Sequence, residues 1–169
     1  MTNNRLFNEF RQNDVISYIC VDINKIKPYL IVNSEKPKAQ TVLGKMLDAF
    51  NIYGNGMEMS EDSIWKTIEF QTGFAIPEDQ LNRMSHVGTV FVDDMIDRFC
   101  HLFILNVTDL ERNQSIVYNQ KIESIWVGRR ETFILNSWKP MTIILKTEIL
   151  SEKREEKAEM NKERKNSST

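Results

Sequence analysis

The spacing of apolar residues changes character along the chain. Between Val15 and Val32, β-branched and aromatic residues dominate: Val15, Ile16, Tyr18, Cys20, Val21 and Ile23, then Tyr29-Leu-Ile-Val32 after a break at Lys25 to Pro28. This pattern predicts β structure interrupted by a turn. From Lys38 to about Asn51 the period is helical, with Val42, Leu43, Met46, Leu47 and Phe50 on one face. Gly54-Asn-Gly56 then supplies left-handed positions that end a helix. A second helix is predicted from Ser60 to about Gln71. Ser60 serves as N-cap, Glu61 and Asp62 sit in the first turn, and Ile64, Trp65 and Ile68 point inward.

From Val87 onward the period falls to two. His86 to Val92 reads as a strand or its approach. Phe99 to Val107 is apolar on both faces, as a central strand would be. Ile116-Val-Tyr118 with Ile122, Ile125 and Trp126 predicts a further, irregular strand. Thr132 to Leu135 is a short apolar run, and Met141 to Leu150 predicts a final strand. The fold class expected is α+β: an antiparallel sheet with two amphipathic helices packed on one face. Residues 1–13 form a flexible N-terminal arm in which Leu6, Phe7 and Phe10 cluster, either to dock elsewhere or as a frayed first turn. A single domain spans 14–150. In residues 151–169, Glu152/Glu156, Lys153/Lys157, Glu155/Glu159 and Glu159/Glu163 place like charges at i,i+4, so a disordered tail is expected.

One segment departs from its surroundings. After the predicted helix closes at Thr72-Gly73, turn chemistry calls for a polar loop. The chain instead gives GFAIPEDQLNRM, with Phe74, Ile76, Leu81 and Met84 on a connector. Either these residues form an exposed apolar element, or the loop tucks them under itself.

Composition narrows the chemistry. The 169 residues carry a formal net charge of −2, with 41% hydrophobic and 27% charged residues, so no global basic excess marks a nucleic-acid binder. Local basic candidates are Lys25, Lys27, Lys36 and Lys38 around the first strand-to-helix connection, and Arg129 and Arg130 after Gly128. Cys20 and Cys100 lie in apolar runs and read as buried free thiols. The start has no apolar signal core, and no run approaches the ~18 apolar residues of a membrane span. Asn106, Asn113 and Asn166 begin sequons that read as chance in a protein made inside the cell.

No nucleophile elbow, phosphate-binding loop or dinucleotide fingerprint is present. Asp93-Asp-Met-Ile-Asp97 resembles the acidic diphosphate-binding signature of isoprenoid synthases, but no second acidic motif accompanies it. An acidic segment leading into a strand is the better account. His86 and His101 have no partner at metal-ligand spacing, and His101 reads as a structural residue of its strand. The expectation is therefore no enzyme, no cofactor and no metal.

Several stretches in order carry a family resemblance: VLGKMLDAFNIYGNG, then SIWKTIEFQTG, FAIPEDQLNRM, HLFILNVTDLERNQSIVYNQKIESIW and PMTIILKTEIL. Together they resemble the rhabdovirus matrix proteins, most closely the plant cytorhabdovirus branch. A lysine-rich N-terminus and a Pro-Pro-x-Tyr motif, frequent in animal-virus members, are both missing. The resemblance implies a non-enzymatic structural protein of the virion, host cytoplasm and inner face of host membranes. It would self-associate, bind the membrane surface and the viral nucleoprotein, and condense the nucleocapsid for budding. It would take no specific small-molecule ligand. Phe74, Ile76, Leu81 and Met84 would then be a membrane or self-association loop, and Leu6, Phe7 and Phe10 an arm reaching the next subunit. The alternative function is a small bacterial or phage interaction protein, such as a toxin-neutralising immunity protein.

Overall fold

A computed structural model describes residue 7 and residues 13–34, 46–54, 60–93, 98–135 and 137–167. The elements are β1 (Val15–Val21), β2 (Tyr29–Ser34), β3 (Met46–Asp48), β4 (Phe50–Tyr53), α1 (Glu61–Thr72), β5 (Met84–Asp93), β6 (Arg98–Asn106), α2 (Gln114–Asn119), β7 (Ser124–Val127) and α3 (Trp138–Ser167). The seven strands form one sheet with the path β3-β2-β1-β6-β5; β4 pairs with β1, and β7 with β2. The α+β class is as expected. The sheet is mixed, because β1 and β6 run parallel, from Val15↔Cys100 to Val21↔Asn106. The other pairings are antiparallel.

The β1 sequence VISYICV explains its central place. Ile16, Tyr18 and Cys20 point into one apolar cluster and Val15 and Ile19 into another. A strand buried on both faces reads as a continuous apolar run, as parallel central strands do. The first cluster gathers Ile64 and Ile68 of α1 with Phe50, Phe103 and Leu105; the second gathers Ile143 and Ile144 of α3 with Leu102, Ile104 and Leu135. So α1 lies on one face and α3 covers the other. Beside α1, an ideal Cβ on Gly73 would come within 2.9 Å of Val117 of α2.

Local chemistry sets the ends of α1. The Ser60 hydroxyl accepts from the Ser63 N–H at 3.2 Å, and Glu61 and Asp62 sit where the helix dipole favours negative charge. At the other end Gly73 adopts φ +79°, and its N–H donates to the Glu69 carbonyl. A Cβ there would stand 2.7 Å from the Asn113 carbonyl oxygen, so glycine is required twice over.

Several segments differ in the structure from their expected form. Within the expected helix at 38–51, residues 46–48 and 50–53 are strands; 38–45 lie outside the described residues. Their apolar set fits period two equally well, with Leu47 and Ala49 in one cluster and Phe50 and Ile52 in the other. The edges of β1 and β2 then decide, because strand preference follows the neighbours available. Residues 114–119 form α2 rather than a strand, started by Asn113, whose side chain accepts from the Ser115 N–H. Thr132–Ile134 belong to a 3-10 turn. Met141–Leu150 is helical, and α3 continues through Ser167 where a disordered tail was expected. The β-branched run MTIILKT mimics a strand, but Ile143, Ile144 and Thr147 follow helical spacing. Packing of Ile143 and Ile144 on the sheet outweighs intrinsic preference.

Candidate functional site

The segment Gly73 to Met84 is stitched into its own domain. Phe74 is 3% exposed and Met84 2%. The Phe74 N–H donates to the Thr72 hydroxyl, and Arg112 Nε donates to the Thr72 carbonyl at 2.7 Å. Two of the four apolar residues assigned to an exposed loop are therefore core. For Phe74 and Met84 the structure matches the alternative in which the loop tucks its apolar residues under itself. Phe7 of the expected arm is also buried, packed edge-on against Trp65 at 5.9 Å and tilted against Phe103. Leu6 and Phe10 lie outside the described residues.

The remaining two loop residues lead to a concave site. Ile76 and Leu81 are half-buried and, with Ala75, form the apolar wall of a cleft of about 610 Å³ against α1. The helix contributes Glu61, Asp62, Trp65, Lys66 and Glu69, and the 3-10 turn contributes Glu78. Helical spacing explains the wall. Glu61, Trp65 and Glu69 fall at i, i+4 and i+8 on one stripe. The Trp65 indole N–H donates to Glu61 Oε1 at 3.2 Å, which fixes the ring beside the carboxylate. Four carboxylates face one ammonium, so the lining is strongly acidic around an aromatic and aliphatic floor.

That lining is poorly suited to a single metal ion. Among the described residues no group of three His, Cys, Asp or Glu side chains converges on a metal position. Glu61 and Glu69 are separated by a helical rise of about 12 Å, whereas the ligands of one hard cation all lie within about 2.6 Å of it.

A second polar arrangement joins β5 and β6 to Asp14, the residue before β1. Asp14, 2% exposed, accepts from the Phe99 N–H and lies 2.8 Å from His101 Nε2. His101 Nδ1 lies 3.2 Å from the Thr89 hydroxyl, and His86 Nε2 lies 3.0 Å from the same oxygen. An ionised Asp14 directs the His101 proton to Nε2 and leaves Nδ1 to accept from Thr89. The structural reading of His101 from sequence is consistent with this stitch; His86 lies in β5, in the stretch read as a strand or its approach.

The two thiols are inert by burial. Desolvation drives the Cys20 pKa far above the ordinary thiol range and also raises that of Cys100, whose Sγ donates to Ser17 Oγ at 3.2 Å. Among the described residues the basic candidates are mostly engaged by other side chains. Lys25 stands over the Trp126 ring at 4.8 Å, Lys27 pairs with Glu131 at 2.8 Å, and Arg129 pairs with Glu148 at 3.2 Å. The Lys27 contact lowers the Glu131 pKa, ahead of a smaller contribution from the Gly128 N–H. Arg130 is exposed, and Lys36 and Lys38 lie outside the described residues. Sequence reasoning missed Lys66, Glu69 and Glu78 and took Trp65 as a core residue; the signal was the Glu-Trp-Glu stripe at four-residue spacing.

Solved structures of known proteins are similar in fold to this chain. The C-terminal domain of mouse MUTYH, seen in complex with human PCNA, aligns over 83% of this chain and 90% of its own, at a TM-score of 0.53 and 13% identity. The E. coli dihydroneopterin triphosphate pyrophosphohydrolase aligns over 79% and 92%, at 0.48 and 8%. A MutT/nudix family protein from Enterococcus faecalis aligns over 69% of this chain and 44% of its own, at 0.44 and 12%. At these identities the likeness is one of fold. No protein-family model and no curated protein matches the sequence. The chain thus shares its fold with the MUTYH C-terminal domain, and none of these structures is a rhabdovirus matrix protein. This corrects two expectations, a non-enzymatic viral matrix protein and the absence of enzyme character.

Proposed function

We propose that the chain is a ligand-binding domain whose site is the cleft beside α1, and that this site selects a positive charge carried on an apolar body. The observation that supports this is the lining: Glu61, Asp62, Glu69 and Glu78 against the single cation Lys66, over Trp65, Ile76 and Leu81. Carboxylates gathered in a concave, partly apolar site focus a negative potential and repel free phosphate. An ammonium or guanidinium gains from the carboxylates and from the Trp65 face, while its carbon stem covers the aliphatic wall. The shared chemistry is a free organic amine or the Lys or Arg side chain of a protein segment. The MUTYH domain seen with PCNA makes a protein partner compatible with this fold. The same carboxylates are the groups available to act as bases if a bound ligand is turned over.

Calorimetric titration with three probes tests the reading: a polyamine, a short Leu-Arg peptide, and a nucleoside triphosphate with magnesium. The reading predicts saturable uptake of one of the first two, reduced at least several-fold in a Glu69→Gln/Glu78→Gln protein, and weaker at high salt. Whichever of the two binds identifies the source of the cation. Uptake of the triphosphate in preference to both overturns the reading.

A further inference from the structure

The outer face of α3 carries an apolar stripe that stands partly exposed among the described residues. Pro140, Ile143 and Ile144 face the sheet and are buried. Around the other side, Trp138, Met141, Leu145 and Ile149 are 40%, 37%, 54% and 50% exposed. At 100° per residue these four fall within about 80° of one another, roughly opposite the buried face. They extend about 16 Å along the axis. Scattered exposed apolar residues are ordinary, but a narrow continuous stripe on a helix is not.

The stripe also has an internal two-fold pattern. Counted from Leu145, apolar residues lie four positions away on each side, at Met141 and Ile149. Seven positions away are Trp138 on one side and Glu152 on the other. An antiparallel second copy centred on Leu145 sets Met141 against the mate's Ile149, and each Leu145 against its own counterpart. It sets Trp138 beside Glu152, whose carboxylate can accept the indole N–H. A parallel mate would instead stack the two Trp138 rings and the two Glu152 carboxylates, the latter at a cost. Self-complementarity of this kind is what a two-fold contact requires.

The remainder of α3 agrees. Residues 151–167 are exposed throughout yet helical, although like charges recur at i,i+4. A helix of that composition has little stability of its own. Antiparallel pairing about Leu145 carries residues 153–167 past the mate's Trp138 and over its domain. We infer that the outer face of α3 is a homodimer contact in which two copies pair antiparallel through Trp138, Met141, Leu145 and Ile149. A helix pair of this length buries less than the ~1,600 Å² of a standard interface, so the dimer dissociates on dilution.

The geometry has a distinctive covalent signature. At a two-fold centre a residue meets its own copy, and off the centre it does not. Under mild oxidation of the full chain, Leu145→Cys should give a disulfide-linked dimer, whereas Met141→Cys alone and Ile149→Cys alone should not. A mixture of the Met141→Cys and Ile149→Cys chains should cross-link to each other. Sedimentation equilibrium should show reversible dimerisation of the unmodified chain that Leu145→Glu abolishes, with the melting temperature unchanged. Self-cross-linking of all three single-cysteine chains would indicate parallel pairing and overturn the inference. A chain that stays monomeric at its highest soluble concentration would overturn it as well.

Discussion

The helices α1 and α3 cover opposite faces of one sheet, and they are finished in different ways. α1 spans Glu61–Thr72, begins at the Ser60 cap and stops at Gly73 in a left-handed conformation. The chain beyond Gly73 returns Phe74 to the core beneath the helix. Around the cleft, what α1 leaves outside is mostly polar, carboxylates and one ammonium beside Trp65, while Phe70 stands half exposed elsewhere on the helix. α3 spans Trp138–Ser167, about 45 Å of helix by its rise per residue, and only its first third touches the sheet. What it leaves outside is apolar near its start and charged beyond. One helix builds a concave site for a small charged group; the other offers a long convex stripe. The difference shows that helical periodicity alone does not tell a core helix from a docking helix. The face left after the sheet is covered does.

The largest expected effect tests whether the Gly73–Met84 segment belongs to the α1 side. Phe74→Ser should cost about 4 kcal/mol by urea unfolding, as loss of a buried phenyl ring does. A cost below about 1 kcal/mol would return Phe74 to the surface and break the contrast. Gly73→Ala comes next. Its Cβ would meet the Asn113 carbonyl oxygen at 2.7 Å in a backbone conformation that already disfavours alanine. A loss of about 2–3 kcal/mol is expected, and no loss would mean that α1 ends elsewhere. The smallest effect belongs to α3. Ala158→Pro, measured at a dilution where the chain is monomeric, should remove helical circular dichroism from the tail. It should change global stability by less than about 0.5 kcal/mol, since Ala158 is exposed. A loss comparable to that of Phe74→Ser would show that the tail packs on its own domain.

Much of the α1 side was legible in the sequence. Ser60, the Glu61-Asp62 first turn, the inward Ile64 and Ile68, and the Gly73 stop each act within a few residues, and each appears where local chemistry puts it. The β1, β2, β5 and β6 strands were legible for the same reason. The α3 side was not. Met141 to Leu150 is rich in β-branched residues, and only contact with Leu102, Ile104 and Leu135 across the sheet makes it a helix. The parallel pairing of β1 with β6 joins residues 85 positions apart, and no local pattern encodes it. The cleft was half visible. Glu61 and Asp62 were recognised only as helix-start acids, and Trp65 only as an inward apolar residue. Glu78 reaches the same space through the turn after Pro77, a juxtaposition that exists only once Phe74 is buried. The family resemblance followed the order of apolar blocks, which does not encode strand pairing.

The central claim is that the acidic cleft beside α1 holds a cation. Trp65 reports on it directly, because its indole N–H is bonded to Glu61 on the cleft wall. Two-dimensional 1H–15N spectra recorded during titration with the probe that binds should move the Trp65 indole resonance and the amides of Glu69, Ile76, Glu78 and Leu81 together on one isotherm. The Trp126 and Trp138 indoles should stay in place. Binding that leaves the Trp65 resonance unmoved while resonances elsewhere shift would contradict the account.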